Sequence, residues 1–201
     1  MRIERLKKTE QEKSEIRAEL ARVADPPVRT VRVCDPDCDE VCPTCASTNC
    51  ACCCSKDCPK ISITLTADPN FPIENKIAPL AYELKRLGVY EPCWSCEGHN
   101  DNAGDLWKIP RVWFYCDSVV HVRLLSDVLM DLGIGELLNV PWQVRVTFSE
   151  DDNPSTTFSL EPVMDQPLKI TLQALQQDIQ VIAERLEEMV KEKASDLKAL
   201  A

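Results

Sequence analysis

From residue 2 to about 23 the chain is mostly Glu, Lys, Arg and Ala, with no Gly or Pro. Ile16, Leu20 and Val23 fall at steps of four and then three, which predicts a helix with a narrow apolar seam. Asp25-Pro26-Pro27 ends it, because Pro removes a donor and restricts the residue before it. A period of two appears at Ile61, Ile63 and Leu65, alternating with Ser62, Thr64 and Thr66, and predicts a half-buried strand. Pro and Asn punctuate 69–75. Ile77, Leu80, Ala81, Leu84 and Leu87 then share one helical face, stopped by Gly88. Residues 89–97 read as a second strand, and Val112, Trp113, Phe114 and Tyr115 as a third. Asp117 or Ser118 caps a second helix of this region, with Leu125, Val128, Leu129 and Leu132 on one side before Gly133. Trp142, Val144, Val146 and Phe148 alternate as a fourth strand. Phe158 and Leu160 suggest a fifth, joined through the acidic turn Glu150 to Pro154.

The order β-α-β-β-α-β with an extra hairpin strand predicts an α+β fold, a ferredoxin-like sandwich. Helices would cover one sheet face, leaving Ser62, Thr64, Thr66, Gln143, Arg145 and Thr147 on the other. The last helix carries the most regular pattern. Leu168, Leu172, Leu175, Ile179, Ile182, Leu186 and Met189 alternate steps of four and three, with Pro167 at the start. A strict 3.5-residue period suits a coiled coil, so a homo-oligomer, simplest as a dimer, is expected. Docking along this chain's own sheet or first helix is the alternative. The chain divides accordingly into an N-terminal helix (1–28), a cysteine-rich segment (29–60), the sandwich (61–165) and the C-terminal helix (166–201).

Composition narrows the partners. A formal charge of −10 disfavours a general electrostatic grip on nucleic acid or anionic membranes. No stretch approaches the roughly 18 apolar residues that span a bilayer, and the charged beginning Met1-Arg-Ile-Glu-Arg-Leu lacks a signal's apolar region. A cytoplasmic location with reduced thiols is expected.

That matters because nine of the twelve cysteines lie between Cys34 and Cys58. They are Cys34, Cys38, Cys42, Cys45, Cys50, Cys52, Cys53, Cys54 and Cys58, interspersed with Asp35, Asp37, Asp39, Glu40 and Asp57. A segment almost without large apolar side chains needs disulfides or metal if it is to be ordered. An odd number of thiols in a reducing compartment argues for metal. Cys42-Pro-Thr-Cys45 has the two-residue gap that lets both thiolates reach one tetrahedral zinc ion. Thiolates this dense in Cys50-Ala-Cys52-Cys53-Cys54 would bridge ions. This run resembles metallothionein, in which Cys-X-Cys and Cys-Cys pairs share zinc or copper, and the resemblance implies that chemistry alone. Cys38-X3-Cys42-X2-Cys45 is similar in spacing to the iron–sulfur motif of radical S-adenosylmethionine enzymes, but the chain after Cys45 is too short for their barrel. An iron–sulfur cluster or copper is the alternative to zinc.

A second constellation is Cys93-Trp-Ser-Cys96-Glu-Gly-His99, followed by Cys116. If the strands carrying them pair as a hairpin, Cys93, Cys96, His99 and Cys116 could surround one zinc ion. Alternatively the three cysteines are small buried strand residues. A catalytic reading would make Cys96 a nucleophile, His99 or His121 its base, and Asp101 or Asp105 the group orienting the imidazole. There is no phosphate loop, dinucleotide fingerprint or paired-carboxylate motif. The expectation is therefore a metal-binding protein for binding, scaffolding, sensing or storage, with a small metal- or thiol-dependent enzyme centred on Cys96 and His99 as the rival.

Overall fold

The computed structural model describes residues 8–25, 68, 70–147, 156–164 and 170–200. Helix α1 (Glu10–Ala24) begins where Thr9 turns the chain. The Thr9 hydroxyl accepts the Glu12 amide at 3.2 Å, and the Glu12 carboxylate accepts the Thr9 amide at 2.6 Å. This reciprocal capping box moves the start to Glu10, later than the seam alone implied; residues 1–7 lie outside the described chain. Helix α2 (Ala78–Arg86) buries all five apolar positions expected of it, with Pro79 harmless in its first turn.

Strand β1 (Glu91–Cys96) pairs antiparallel with β4 (Arg111–Tyr115), and a ribbon of β2 (His99–Asn100) and β3 (Leu106–Lys108) lies between them in sequence. Helix α3 (Val119–Ile134) is capped by the Ser118 hydroxyl. It continues through Gly133 instead of stopping there, because its C-terminal bonds form later. The Glu136 amide donates to the Gly133 carbonyl and the Leu137 amide to the Leu132 carbonyl, both at 3.1 Å. That is a Schellman-type cap, with Glu136 in the left-handed region at φ 54°. Strands β5 (Trp142–Thr147) and β6 (Thr157–Pro162) and helix α4 (Leu172–Leu200) complete the described elements.

The main sheet is antiparallel in the order β1-β4-β6-β5. The fold is α+β as expected. A ferredoxin-like order would seat the strand expected over 61–66 between β4 and β5. That segment lies outside the described residues, and β6 occupies the position, paired to both neighbours. Opposite residues in an antiparallel pair share a face. Val112, Leu160 and Val144 form one row across the sheet and Phe114, Phe158 and Val146 the next. Val112, Leu160, Phe114 and Phe158 are buried in the helix-side core; Val146, on the edge strand, stays exposed. Arg145 and Glu161 are on the opposite face, joined at 2.9 Å, and Ser159 donates to Glu161 at 2.6 Å.

One core runs from this sheet face through all four described helices. Helix α4 packs against α1, α2 and α3. Leu175, Ile179, Ile182 and Leu186 of its seam are fully buried, joined by Ala183, Val190 and Ala194. Leu172 and Met189 are half-buried, and Leu168 lies outside the described residues. The added positions widen the seam into the stripe of a helix lying on a globular core. The apolar surface that called for a second chain is therefore already covered, and the coiled-coil expectation loses its basis. Asp178, also fully buried on α4, accepts the Asn139 amide and side-chain N–H at 2.8 Å, the Trp142 indole at 3.0 Å and the Val140 amide at 3.3 Å. No helix among the described residues is long and apolar enough to cross a membrane.

Candidate metal centre

Three separate segments meet at one end of β1. The turn leading into α2 carries Glu74, whose carbonyl accepts the Ile77 and Ala78 amides and so opens that helix. The last residue of β1 is Cys96, and β2 begins at His99. Between them Gly98 takes φ +83°, a conformation open to glycine at little cost. That reversal points the two side chains toward Glu74. One ligand-type atom from each of Glu74, Cys96 and His99 lies within 4.8 Å of the other two. The His99 Nε2 to Glu74 Oε1 distance is 3.0 Å.

The carboxylate is itself held in place. The Glu97 amide donates to Glu74 Oε2 at 2.7 Å, and Glu97's own carboxylate accepts the Lys76 amide at 2.8 Å. Cys96 is buried, whereas the side chains of Glu74 and His99 are about one-third exposed, at 37% and 39%. Burial raises the Cys96 pKa; the Gly98 hydrogen bond opposes that, and the Glu74 charge adds to the rise. The sulfur is thus a protonated thiol near neutral pH, unsuited by itself to nucleophilic attack. A cation bound by the thiolate, the carboxylate and the imidazole would reverse that logic, because metal ligation deprotonates a thiol.

The four-residue site expected from spacing is therefore half assembled. Cys96 and His99 converge, but Cys116 does not join them. In the β1–β4 register Cys96 faces Arg111, while Tyr115, next to Cys116, faces Glu91. Five residues of strand separate Arg111 from Cys116, about 17 Å at the usual rise. The hairpin that was to close the site holds Cys116 at its far end, where the thiol donates to the Ser118 carbonyl at 3.4 Å. Cys93 falls at the irregularity in β1 and is exposed. The candidate ligand that sequence alone did not bring forward is Glu74, twenty-two residues before Cys96. Its only signal was a carboxylate in the Pro- and Asn-rich turn before α2.

The catalytic expectation changes too. Asp101 Oδ1 accepts the amides of Ala103 and Asp105, each at 2.9 Å, and so closes its own loop. Glu74, in place of Asp101 or Asp105, holds the His99 imidazole. His121 is buried, with Nε2 2.9 Å from the Glu19 carbonyl, and its own carbonyl accepts the Tyr90 hydroxyl at 2.9 Å. It ties α3 to α1 and lies at the Tyr90 end of β1, the end opposite Cys96. Cys34, Cys38, Cys42, Cys45, Cys50, Cys52, Cys53, Cys54 and Cys58 lie outside the described residues. No protein-family model, curated protein or solved structure matches this chain.

Proposed function

We propose that this protein is a metal-binding module that holds a borderline divalent cation, zinc in the first instance, at Glu74, Cys96 and His99. The supporting observation is the convergence of sulfur, nitrogen and oxygen donors from three segments, with the carboxylate also held by a backbone N–H. Calcium and magnesium prefer all-oxygen sites, and copper(I) prefers soft sulfur; thiolate, imidazole and carboxylate together suit zinc. Two anionic ligands also balance a divalent charge. The cysteines from Cys34 to Cys58 provide a second soft-metal segment, and the reducing cytoplasm keeps its thiols available. Scaffolding, sensing and storage are the roles this chemistry serves. Homo-oligomerisation draws no support from the buried seam of α4.

A second reading has one observation in its favour. Three protein ligands with two side chains partly open to solvent leave a fourth coordination position for water, the pattern of catalytic zinc sites. A metal-dependent hydrolytic enzyme fits that pattern.

The chain has two histidines, which makes the test specific. With imidazoles labelled by nitrogen-15, zinc in excess of all thiols is expected to shift the His99 signals and leave those of His121 in place. Cys96→Ser should remove most of that shift. Zinc uptake with both imidazoles unmoved would place the metal elsewhere and overturn the proposal.

A further inference from the structure

We infer that the first turns of α4 sense the occupancy of the Glu74–Cys96–His99 site, through the single peptide unit joining Glu97 to Gly98. The inference rests on the metal reading above and names its regulation. That peptide unit lies in the turn between Cys96 and His99, and its carbonyl accepts Gln176 Nε2 of α4 at 3.3 Å. One rigid amide plane therefore joins the ligand-bearing turn to α4. Leu172, one helical turn before Gln176, closes on the same unit. A Cβ at Gly98 would lie 2.6 Å from Leu172 Cδ1, and 3.0 Å from both the Lys108 carbonyl oxygen and Pro110 Cδ. The ligand turn is thus packed closely against both α4 and the residues that end and follow β3. Residues 172 and 176 stand four apart and share a helix face, so the two contacts act as a pair.

The direction of the effect follows from restraint. An ion held by both Cys96 and His99 fixes the turn between them, and so fixes the Glu97 carbonyl and Gly98 where α4 meets them. Occupancy therefore tightens the Gln176 contact at the end of α4, where helices fray most readily. From there the helix carries on into the core with α1, α2 and α3. Linkage is reciprocal: whatever the ion adds to α4 docking, α4 docking adds to ion affinity.

The experiment uses the full chain and zinc(II), with affinity read from the His99 imidazole signal under competition by a chelator. Wild type is expected to show slower amide hydrogen exchange over 172–180 when zinc is present. Leu172→Ala/Gln176→Ala should bind zinc about tenfold more weakly, within the usual range for coupled sites, and should lose the zinc-dependent protection of α4. Val190→Ala, a core change in α4 remote from the turn, should leave zinc affinity unchanged. Gln176→Ala alone, at a half-buried position, gives a weaker form of the same result should the double variant fail to fold. Equal zinc affinity in wild type and the Leu172 and Gln176 variants, with no change in α4 exchange, would overturn the inference and leave the metal site standing. A His99 signal unmoved by zinc in wild type would overturn the metal site itself.

Discussion

Asp178 shows how one buried charge organises its surroundings. Its two oxygens accept N–H donors from Asn139, Val140 and Trp142, and so fix the loop before β5 against α4. Removing the acceptor leaves two buried donors, the Val140 amide and the Trp142 indole, without a partner, each costing about 1–3 kcal/mol. Asp178→Ala is therefore expected to destabilise by about 3 kcal/mol or more in urea unfolding, and Asp178→Asn by less. A loss below about 1 kcal/mol for Asp178→Ala would show that water replaces the carboxylate freely. At this scale the sequence was half informative about the site. Cys96 and His99 stand out because few residue types bind soft ions and these two are three apart. Glu74 does not stand out, since a carboxylate in a turn is ordinary until a fold brings a thiol beside it. Cys116 misled for the converse reason: spacing in sequence says nothing of strand register.

At the scale of elements, caps decide more than periodicity does. Thr9 with Glu12 starts α1, and the bonds around Glu136 end α3 one turn beyond the stop that Gly133 suggested. A left-handed conformation strains any residue with a Cβ. Glu136→Gly, at φ 54°, should accordingly stabilise the protein by about 0.5–1 kcal/mol, visible as a higher thermal midpoint. An unchanged or lower midpoint would mean that the Glu136 side chain compensates for its backbone. The seam of α4 was legible as a helix with one apolar face, but its partner was not, because the same residues satisfy another chain or the chain's own core. Ile179 and Ile182 are fully buried. Changing both to Asp places two charges in the core, a cost of several kcal/mol against a total stability of about 5–15 kcal/mol. Loss of cooperative unfolding is expected, where a dimer seam would have given a folded monomer. Light scattering on the wild type at micromolar concentration should give 22.7 kDa.

Across the whole molecule, burial sets a pH response. Desolvation raises the pKa of the Cys116 thiol and of the Tyr90 hydroxyl, so both resist ionisation in the folded state. Such groups bind more protons folded than unfolded at alkaline pH. Their contribution is fully present below the unfolded thiol's pKa, near 8.5, and is lost as pH rises toward the folded values. The thermal midpoint should hold between pH 7 and 8 and fall by pH 10; a midpoint that rises over that interval would contradict the burial argument. The sheet order was the least legible feature. Its four strands were read from the sequence, β5 by alternation, yet β6 inside the sheet is buried on both faces, and nothing in Thr157–Pro162 distinguishes a central strand from a hairpin edge. The placement of α4 has a further consequence, in time. Asp25 at the end of α1 meets Lys198 near the end of α4, 173 residues later in the chain. Contacts this distant in sequence slow folding, since the chain must order before they form. On a ribosome making 5–20 residues per second, α1 would emerge roughly 7 to 30 seconds before α4 begins. Throughout that interval Leu20 and Val23, which end up buried, lack the cover that α4 gives them.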